Sequence, residues 1–224
     1  MDKDLFKDIN THLLEDTKPS IYLKSILNDL KNTPLKILTK LEKIEQSPVH
    51  HPEGNVLNHT LLVVDSAALV RESAIDKEVL MWSALLHDIG KIRATRLKNG
   101  RIVAYNHDTY GKEEAEKILN STKFFNETTK QNIIHFVSFH MHSLYISKRL
   151  PFGNLSKLMD TVDLNQIILL FFSDRLGRGD FSKEAILDVF SEIDLILDTI
   201  SEKYNIDATF KFWSNAKANL LSKY

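Results

Sequence analysis

The stretch that decides the fold runs from Lys77 to Lys91 and reads KEVLMWSALLHDIGK. Its apolar residues recur at three- and four-residue spacing, which predicts an amphipathic helix over 77–87. The helix ends in the pair His87-Asp88, and Gly90 suits a left-handed stop just after it. Adjacent residues point about 100° apart on a helix, so one metal ion can take both side chains only where the backbone is released. The pair lies at such a point.

Four other histidines can be sorted by the helix face that carries them. His59 and His140 lie on the apolar stripes of their predicted helices, so both side chains are expected to point into the core. His135 and His142 lie on a polar stripe and are expected on the surface. A buried histidine is most often bound to a backbone carbonyl, so a purely structural role stays open for His59 at this stage.

Asp174 is the carboxylate with the least ordinary position in the sequence. It lies on a predicted helix that is apolar almost all round, where a carboxylate is costly to bury unless it is paired or bound to a metal. Arg175 and Arg178 follow it closely, so a salt bridge is the alternative to a metal site.

The composition restricts which metal site the chain can build. It has no cysteine and nine histidines, so a metal has to be held by imidazole and carboxylate groups. Such donors suit a divalent transition metal such as Mn, Ni, Co, Fe or Zn, and Mg²⁺ alone is less natural. The inward groups that supply them are His59, His87, Asp88, His140 and Asp174.

Length and composition exclude the disordered and fibrous classes of protein. The chain has 224 residues, 43% hydrophobic and 26% charged, which is enough to bury a core. Its 29 Lys and Arg against 30 Asp and Glu give a formal charge of −1, so no strong general nucleic-acid footprint appears, although a local basic patch stays open. No apolar run suits a membrane span and the first ten residues do not resemble a signal peptide, so a soluble, cytoplasmic protein is expected.

Low glycine and proline content and helical spacing predict an all-α fold. A loop at 47–54 is the best internal boundary, and 89–106 is expected to be a loop with room for a short hairpin. We predict an N-terminal helical extension over 1–48, a metal-binding domain over 49–180 and C-terminal helices over 181–224. The predicted helices are 5–14, 21–30, 35–44, 55–72, 77–87, 109–119, 127–142, 155–159, 164–175, 183–203 and 208–221.

The order of these motifs resembles a known superfamily. His59, then ALLHDIGK at 84–91, then Asp174 is similar to the HD-domain metal-dependent phosphohydrolases. More narrowly, HPEGNVLNHTLLVVD at 51–65, NHDTYG at 106–111 and DRLGR at 174–178 resemble the HD domain attached to some bacterial CCA-adding tRNA nucleotidyltransferases. A lone His-Asp pair carries no information, whereas these segments in this order are specific.

The resemblance implies a single HD-type orthogonal helical bundle and a set of roles. It makes His59, His87, Asp88 and Asp174 ligands of one metal ion, with His107 and His140 at the positions expected for a second. An ordinary loop position is the alternative for His107. Asp88 is then expected to orient the attacking water or to bridge two ions, and Lys91 and Arg178 to contact phosphate oxygens.

The reaction that the resemblance implies is hydrolysis of a phosphomonoester or phosphodiester on a nucleotide or RNA end, with a 2′,3′-cyclic phosphodiester or 2′-phosphate favoured and a nucleoside 5′-monophosphate close behind. The segment before His51 lacks the Gly-Ser and paired-Asp signature of the nucleotidyltransferase domain, so nucleotide addition is not implied. A di-iron HD-type oxygenase and a non-catalytic HD ligand-binding module are the alternatives. The expected partner is a small-molecule nucleotide or RNA-end substrate, with no membrane; self-association is left open.

Overall fold

The computed structural model describes residues 2–179, 181–204 and 211–223, and within these it is all-α apart from one two-stranded hairpin. The α-helices are α1 Asp2–Glu15, α2 Pro19–Ile26, α3 Val56–Val70, α4 Lys77–Leu86, α5 Lys91–Ala94, α6 His107–Asn120, α7 Glu127–Phe139, α8 His142–Ser147, α9 Leu155–Thr161, α10 Leu164–Leu176, α11 Lys183–Tyr204 and α12 Lys211–Leu221. Three 3₁₀ segments (Asp29–Asn32, Pro34–Lys43 and Arg71–Ser73) and the strands β1 Arg96–Lys98 and β2 Arg101–Val103 complete the described elements.

Five helices form the centre of the molecule. α3 packs between α4 and α10, α4 also packs on α7, and α6 packs on α7. Their inward residues are mostly apolar, and the apolar ones belong to a continuous core of buried side chains that runs from Phe6 to Leu220. The all-α prediction is therefore confirmed.

The N-terminal helices are fixed to this bundle by both apolar and polar contacts. Phe6 of α1 stacks on Trp82 of α4, whose indole nitrogen donates to Asn10 at 2.8 Å. Asp65 of α3 accepts two hydrogen bonds from Ser20 at the start of α2, at 3.0 and 2.7 Å. The start of the chain thus shares the core of the central helices.

The C-terminal helices α11 and α12 both pack on α10. Phe172, Phe190 and Trp213 form an aromatic cluster that joins α10, α11 and α12. Trp213 is buried and donates to Asp194 at 2.7 Å, so both tryptophans are packing residues, as the sequence indicates.

The described elements differ from the predicted ones in helix type, in one divided segment and in one additional helix. The predicted helix 35–44 is a 3₁₀ helix, 21–30 is divided between α2 and a 3₁₀ turn, and α8 has no predicted counterpart. The loop at 47–54 and a hairpin within 89–106 are found where expected. The start of predicted helix 208–221 lies outside the described residues. In the described part of the chain, no helix has the length and apolar character that crossing a membrane requires.

Glycine is required at position 90 for a different reason from the predicted one. Its φ is −69°, an ordinary helical value, so it is not a left-handed stop. A Cβ at this position would lie 2.0 Å from the backbone oxygen of His107 and 2.3 Å from the backbone nitrogen of Gly111. Glycine is therefore required because the chain after α4 lies directly against α6. This contact brings His87-Asp88 next to His107.

Candidate metal centre

Six histidine and aspartate side chains from five helices meet at one end of the bundle. His59 comes from α3, His87 and Asp88 follow α4, His107 begins α6, His140 follows α7 and Asp174 is in the last turns of α10. The four imidazoles and Asp88 are buried, and Asp174 is the most open of the six at 15% side-chain exposure.

Asp88 is the centre of this arrangement because its two oxygens face different histidines. Its Oδ2 lies 3.3 Å from Nε2 of His87 and 3.7 Å from Nε2 of His59. We name His59, His87, Asp88 and Asp174 the first cluster; Oδ1 of Asp174 lies 3.0 Å from Nε2 of His59 and 4.0 Å from Nε2 of His87.

The second cluster consists of Asp88, His107 and His140. Oδ1 of Asp88 lies 3.3 Å from Nε2 of His107 and 3.7 Å from Nε2 of His140. The ligand-type atoms of this cluster, like those of His59, His87 and Asp88, all lie within 4.8 Å of one another. One carboxylate therefore joins two groups, each able to hold an ion.

The tautomers of the histidines follow from their other ring nitrogen. Nδ1 of His87, His107 and His140 each faces a backbone carbonyl, at 2.8, 2.7 and 2.6 Å respectively. A carbonyl only accepts, so each Nδ1 carries the hydrogen and the neutral ring presents a bare Nε2 to Asp88. A hydrogen bond from the ring nitrogen that does not face the metal orients metal-binding histidines in this way.

Two observations indicate that a cation belongs between these nitrogens. Nε2 of His107 and Nε2 of His140 are 3.0 Å apart although both rings already donate through Nδ1, so a proton or metal ion has to separate the two lone pairs. Nε2 of His87 is buried without a hydrogen-bond partner among the described residues. Imidazole and carboxylate donors in this arrangement fit a divalent transition metal.

The electrostatics of the first cluster also favour a cation. Burial alone lowers the pKa of His59, but the carboxylates of Asp174 and Glu53 outweigh burial and raise that pKa to about 9. In the second cluster, burial and the neighbouring rings of His107 and His87 lower the pKa of His140 to about 3, so this imidazole is neutral and ready to coordinate. Burial raises the pKa of Asp88, yet opposing effects, of which the positive charge of Lys91 is the largest, outweigh burial and hold that pKa well below its ordinary value.

Lys91 does not extend into solvent from the helix end. The side chain is buried, and its Nζ lies 2.6 Å from Oδ2 of Asp88 and donates to Oε1 of Gln46 at 2.6 Å. Gln46 donates in turn to the backbone of Gly54 at 3.3 Å. The sequence offered no signal for Gln46, because only the folded chain brings the segment before α3 against α5.

Glu53 is a second residue of this segment that reaches the site. Its Oε1 lies 2.7 Å from Nδ1 of His59 and 2.9 Å from Nδ1 of His51, and its side chain is 2% exposed. Burial raises the pKa of Glu53, but the hydrogen bonds from His51 and His59 lower it to about 2. Nδ1 of His59 also donates to the backbone of Gly177 at 3.1 Å, so this nitrogen is a donor and these three side chains do not form a further metal site.

The salt-bridge alternative for Asp174 is not supported by the geometry. Arg175 turns away and pairs with Glu192 of α11, with nitrogen to oxygen distances of 2.6 and 2.7 Å. Arg178 is half-buried and forms no ion pair with a described residue. Burial and the nearby charge of Arg175 lower its pKa. Its guanidinium therefore lies beside the site with capacity for an anion.

Two sequence interpretations of histidines are wrong. His142 is buried against Phe139 and Tyr145 instead of lying on the surface, because α7 ends at Phe139 and α8 begins at His142, so one helical wheel does not continue across the break. The loop alternative for His107 is also wrong: His107 is the first residue of α6, and the cap position is Asn106 in the left-handed conformation with φ of 60°. His135 is half-buried.

His140 and His142, two residues apart, give a matched test of the second cluster. We expect His140→Ala to weaken binding of the second ion by more than about a hundredfold, beyond the usual effect of losing an outer partner of a ligand. His142→Ala removes another buried ring, which lies outside both clusters, and is expected to cost about 0.5–3 kcal/mol of stability with both ions retained. Metal titration of the folded fraction distinguishes the two results. Equal loss of metal in both variants would contradict the second cluster.

Comparison with known proteins agrees with the geometry. A family model described as HD domain matches residues 56–179, more than half of the chain. Domains of this family are generally metal-dependent hydrolases, and the His and Asp clusters are groups that could hold a metal.

Curated relatives match over the same region. A multifunctional CCA protein of Actinobacillus pleuropneumoniae serotype 5b (strain L20) is 28% identical over 125 residues, which is 56% of this chain and 29% of that protein. The protein of the same name from Pseudomonas fluorescens (strain SBW25) is 31% identical over 104 residues, 46% of this chain and 24% of that protein. The match thus spans less than a third of these relatives' own length. By the family match and the clustered residues together, the chain belongs to the HD domain family.

Proposed function

We propose that this protein is a metal-dependent phosphohydrolase that cleaves a phosphomonoester or phosphodiester of a nucleotide or RNA end. The observation that carries the proposal is the position of Asp88, whose two oxygens face two separate sets of histidines. Hydrolysis of a phosphate ester is the chemistry that such paired sites perform in many enzymes, because ions on both sides of one phosphate stabilise attacking and leaving oxygens.

The proposed ligands are the residues of the two clusters. His59, His87, Asp88 and Asp174 would hold the first ion, and Asp88, His107 and His140 would hold the second. When bound, a divalent ion supplies Lewis acidity and lowers the pKa of its bound water to about 7. Asp88 belongs to both sets of proposed ligands, with one oxygen facing each set of histidines.

The cationic side chains have distinct proposed tasks. Lys91 holds Asp88 in place through the 2.6 Å ion pair and adds positive charge next to the position of the phosphate. Arg178 contacts a phosphate oxygen, since its guanidinium lies near Asp174 without a described ion-pair partner. The substrate phosphate approaches past Asp174, the most open residue of the first cluster.

Among substrates we favour a 2′,3′-cyclic phosphodiester or a 2′-phosphate. The support is the 28% identity over 125 residues to a protein named multifunctional CCA protein, together with the resemblance of the motifs at 51–65, 106–111 and 174–178 described above. A nucleoside 5′-monophosphate is the next candidate. A cytoplasmic location and any self-association stay predictions of the sequence.

Metal analysis followed by a substrate panel tests the proposal. Protein purified without added metal is analysed for bound ions, then assayed with Mn²⁺, Ni²⁺, Co²⁺ and Mg²⁺ on 2′,3′-cyclic nucleotides, 2′-phosphates and 5′-monophosphates. We expect metal-dependent release of a phosphomonoester or inorganic phosphate, strongest with a transition metal. Bound iron with turnover only in oxygen would favour the oxygenase instead, and tight nucleotide binding without turnover would favour a non-catalytic module.

Glu53 provides a prediction about the first cluster. Losing the carboxylate removes the nearer of the two acceptors of Nδ1 of His59 and leaves only the backbone of Gly177 to orient the ring, so Glu53→Ala is expected to weaken binding of the first ion by roughly 10- to 100-fold. Glu53→Gln keeps an acceptor oxygen and should recover most of the affinity. Calorimetric titration with Mn²⁺ measures both.

Asp65→Ala is the control for Glu53, because it removes a structural carboxylate from α3 that bonds only to Ser20 among the described contacts. Its metal affinity should equal that of the wild type. If Glu53→Ala and Asp65→Ala bind Mn²⁺ equally well, Glu53 does not position His59.

A further inference from the structure

The chain makes an excursion between Gly90 and His107, two residues that lie beside each other in the fold. Gly90 and His107 are in direct backbone contact, as the 2.0 Å clash of an added Cβ shows. Residues 91–106 therefore leave and return to the same point. We name residues 91–106 the arm. The arm contains α5 and the hairpin of β1 and β2.

The hairpin of the arm contributes almost nothing to the core. All three residues of β1 are exposed and none of β2 is buried. The turn is Asn99-Gly100 with φ of 51° and 73°, the left-handed pair that a tight two-residue hairpin requires. A two-stranded ribbon without a buried face is marginal by itself, so its retention needs a reason other than packing.

The charge of the arm is one-sided. Between Ile89 and His107 there are five Lys or Arg residues and no Asp or Glu, in a chain whose formal charge is −1. Lys91 is used by Asp88, and Arg93 is neutralised by Glu113 and lies over the ring of Tyr110.

Three positive charges of the hairpin therefore stay available. Arg96, Lys98 and Arg101 are exposed and form no ion pair with any residue of the described ranges. Arg96 and Lys98 lie 5.7 and 5.3 Å from the ring centroid of Tyr105, which is 52% exposed. Positive charges interleaved with an open aromatic ring are the surface on which single strands stack bases and place phosphates.

The arm is also adjacent to the metal centre. Tyr105 precedes His107 by two residues, a distance of at most about 7 Å along an extended chain. Nδ1 of His107 donates to the backbone of Ala104 at 2.7 Å, which fixes the base of the arm to the second cluster. A ligand on Tyr105 and the hairpin charges thus lies near the second cluster.

We propose that the arm binds the backbone and a base of a single-stranded oligonucleotide whose terminal phosphate lies at the metal centre. Arg96, Lys98 and Arg101 neutralise backbone phosphates and Tyr105 stacks on a base. The position of the terminal phosphate rests on the proposed function, whereas strand binding does not. A mononucleotide at the centre leaves this surface unused, so the arm favours a strand end as the substrate.

Fluorescence anisotropy with a labelled single-stranded RNA, and with DNA of the same sequence, tests strand binding in metal-free buffer. Arg96→Ala/Lys98→Ala/Arg101→Ala should weaken binding and reduce the slope of log affinity against log salt by about 2, since each contact to a single strand contributes about 0.7. Tyr105→Ala should weaken binding by roughly fivefold to a hundredfold.

The matched control is Lys36→Ala/Lys40→Ala/Lys43→Ala, which removes three exposed charges from the Pro34–Lys43 segment. It should bind the strand as the wild type does. Equal weakening in both triple variants, or no strand binding by the wild type, would overturn the arm as a binding surface. Tighter binding of RNA than DNA would add a contact to the 2′-hydroxyl; equal binding would leave the phosphates and bases as the ligand.

Hydrolysis assays separate this inference from the proposed function. The Arg96→Ala/Lys98→Ala/Arg101→Ala variant should raise KM for an oligonucleotide with a terminal phosphate by at least about tenfold, because it loses a few phosphate contacts. Its turnover of bis(p-nitrophenyl) phosphate, which has no strand to bind, should change far less. Equal losses on both substrates would count against the arm. A wild type that binds strands but hydrolyses no phosphate ester would instead refute the proposed function and leave strand binding standing.

Discussion

Replacing Asp88 by Asn is expected to remove both ions and to lower kcat/KM by at least about a hundredfold. The substitution keeps the shape of the side chain but removes the anionic oxygens that face His87 on one side and His107 on the other. Losing one group that stabilises transition-state charge already costs about 10²–10³-fold in other enzymes. The measurement is metal content and single-turnover rate on the folded fraction.

Two further variants control this result. Asp88→Asn leaves the ammonium of Lys91 buried without its partner, so Asp88→Asn/Lys91→Gln is measured in parallel to remove that charge. Asp174→Asn changes only the first cluster and should lose one ion at most, with activity lowered by at least about tenfold. An Asp88→Asn protein that keeps two ions and wild-type turnover would refute the bridging role.

Removing metal is expected to lower the melting temperature of the wild type by roughly 8–16 °C for each ion released. The ligands come from five helices, so the complete sites exist only in the folded protein. One ion at about a thousand times its Kd adds about 4 kcal/mol to the free energy of unfolding. In a chain of this size, each kcal/mol moves the melting temperature by about 2–4 °C.

The control for the chelation experiment is the Asp88→Asn variant, which should melt at the same temperature with and without chelator. Calorimetry with EDTA, followed by return of Mn²⁺, checks that the change is reversible. An unchanged melting curve of the wild type after verified removal of all metal would contradict sites assembled from several helices.

Periodicity predicted much of the site because its residues lie on regular helices. His59 and His140 share stripes with residues that are buried in the structure, and the end of α4 explains how His87 and Asp88 both reach the centre. The same rule failed for His142, since the helix breaks after Phe139 and the wheel begins again.

Other features of the site have no signal in a helical pattern. Gln46 and Glu53 belong to an irregular segment, and only tertiary packing brings them to Lys91 and His59. Gly90 looked like a helix stop because glycine often is one, yet close contact with α6 is what excludes a side chain there. His107 was indicated by the resemblance alone.

The number of divalent ions bound per folded chain is the most direct test of the account. Metal-free protein is titrated with Mn²⁺ by calorimetry, and the bound ions are counted after dialysis by elemental analysis. The account predicts two ions per wild-type chain, one for His140→Ala and none for Asp88→Asn. A wild-type chain that binds no ion, while folded and with the six residues intact, would contradict the metal centre and the function proposed from it.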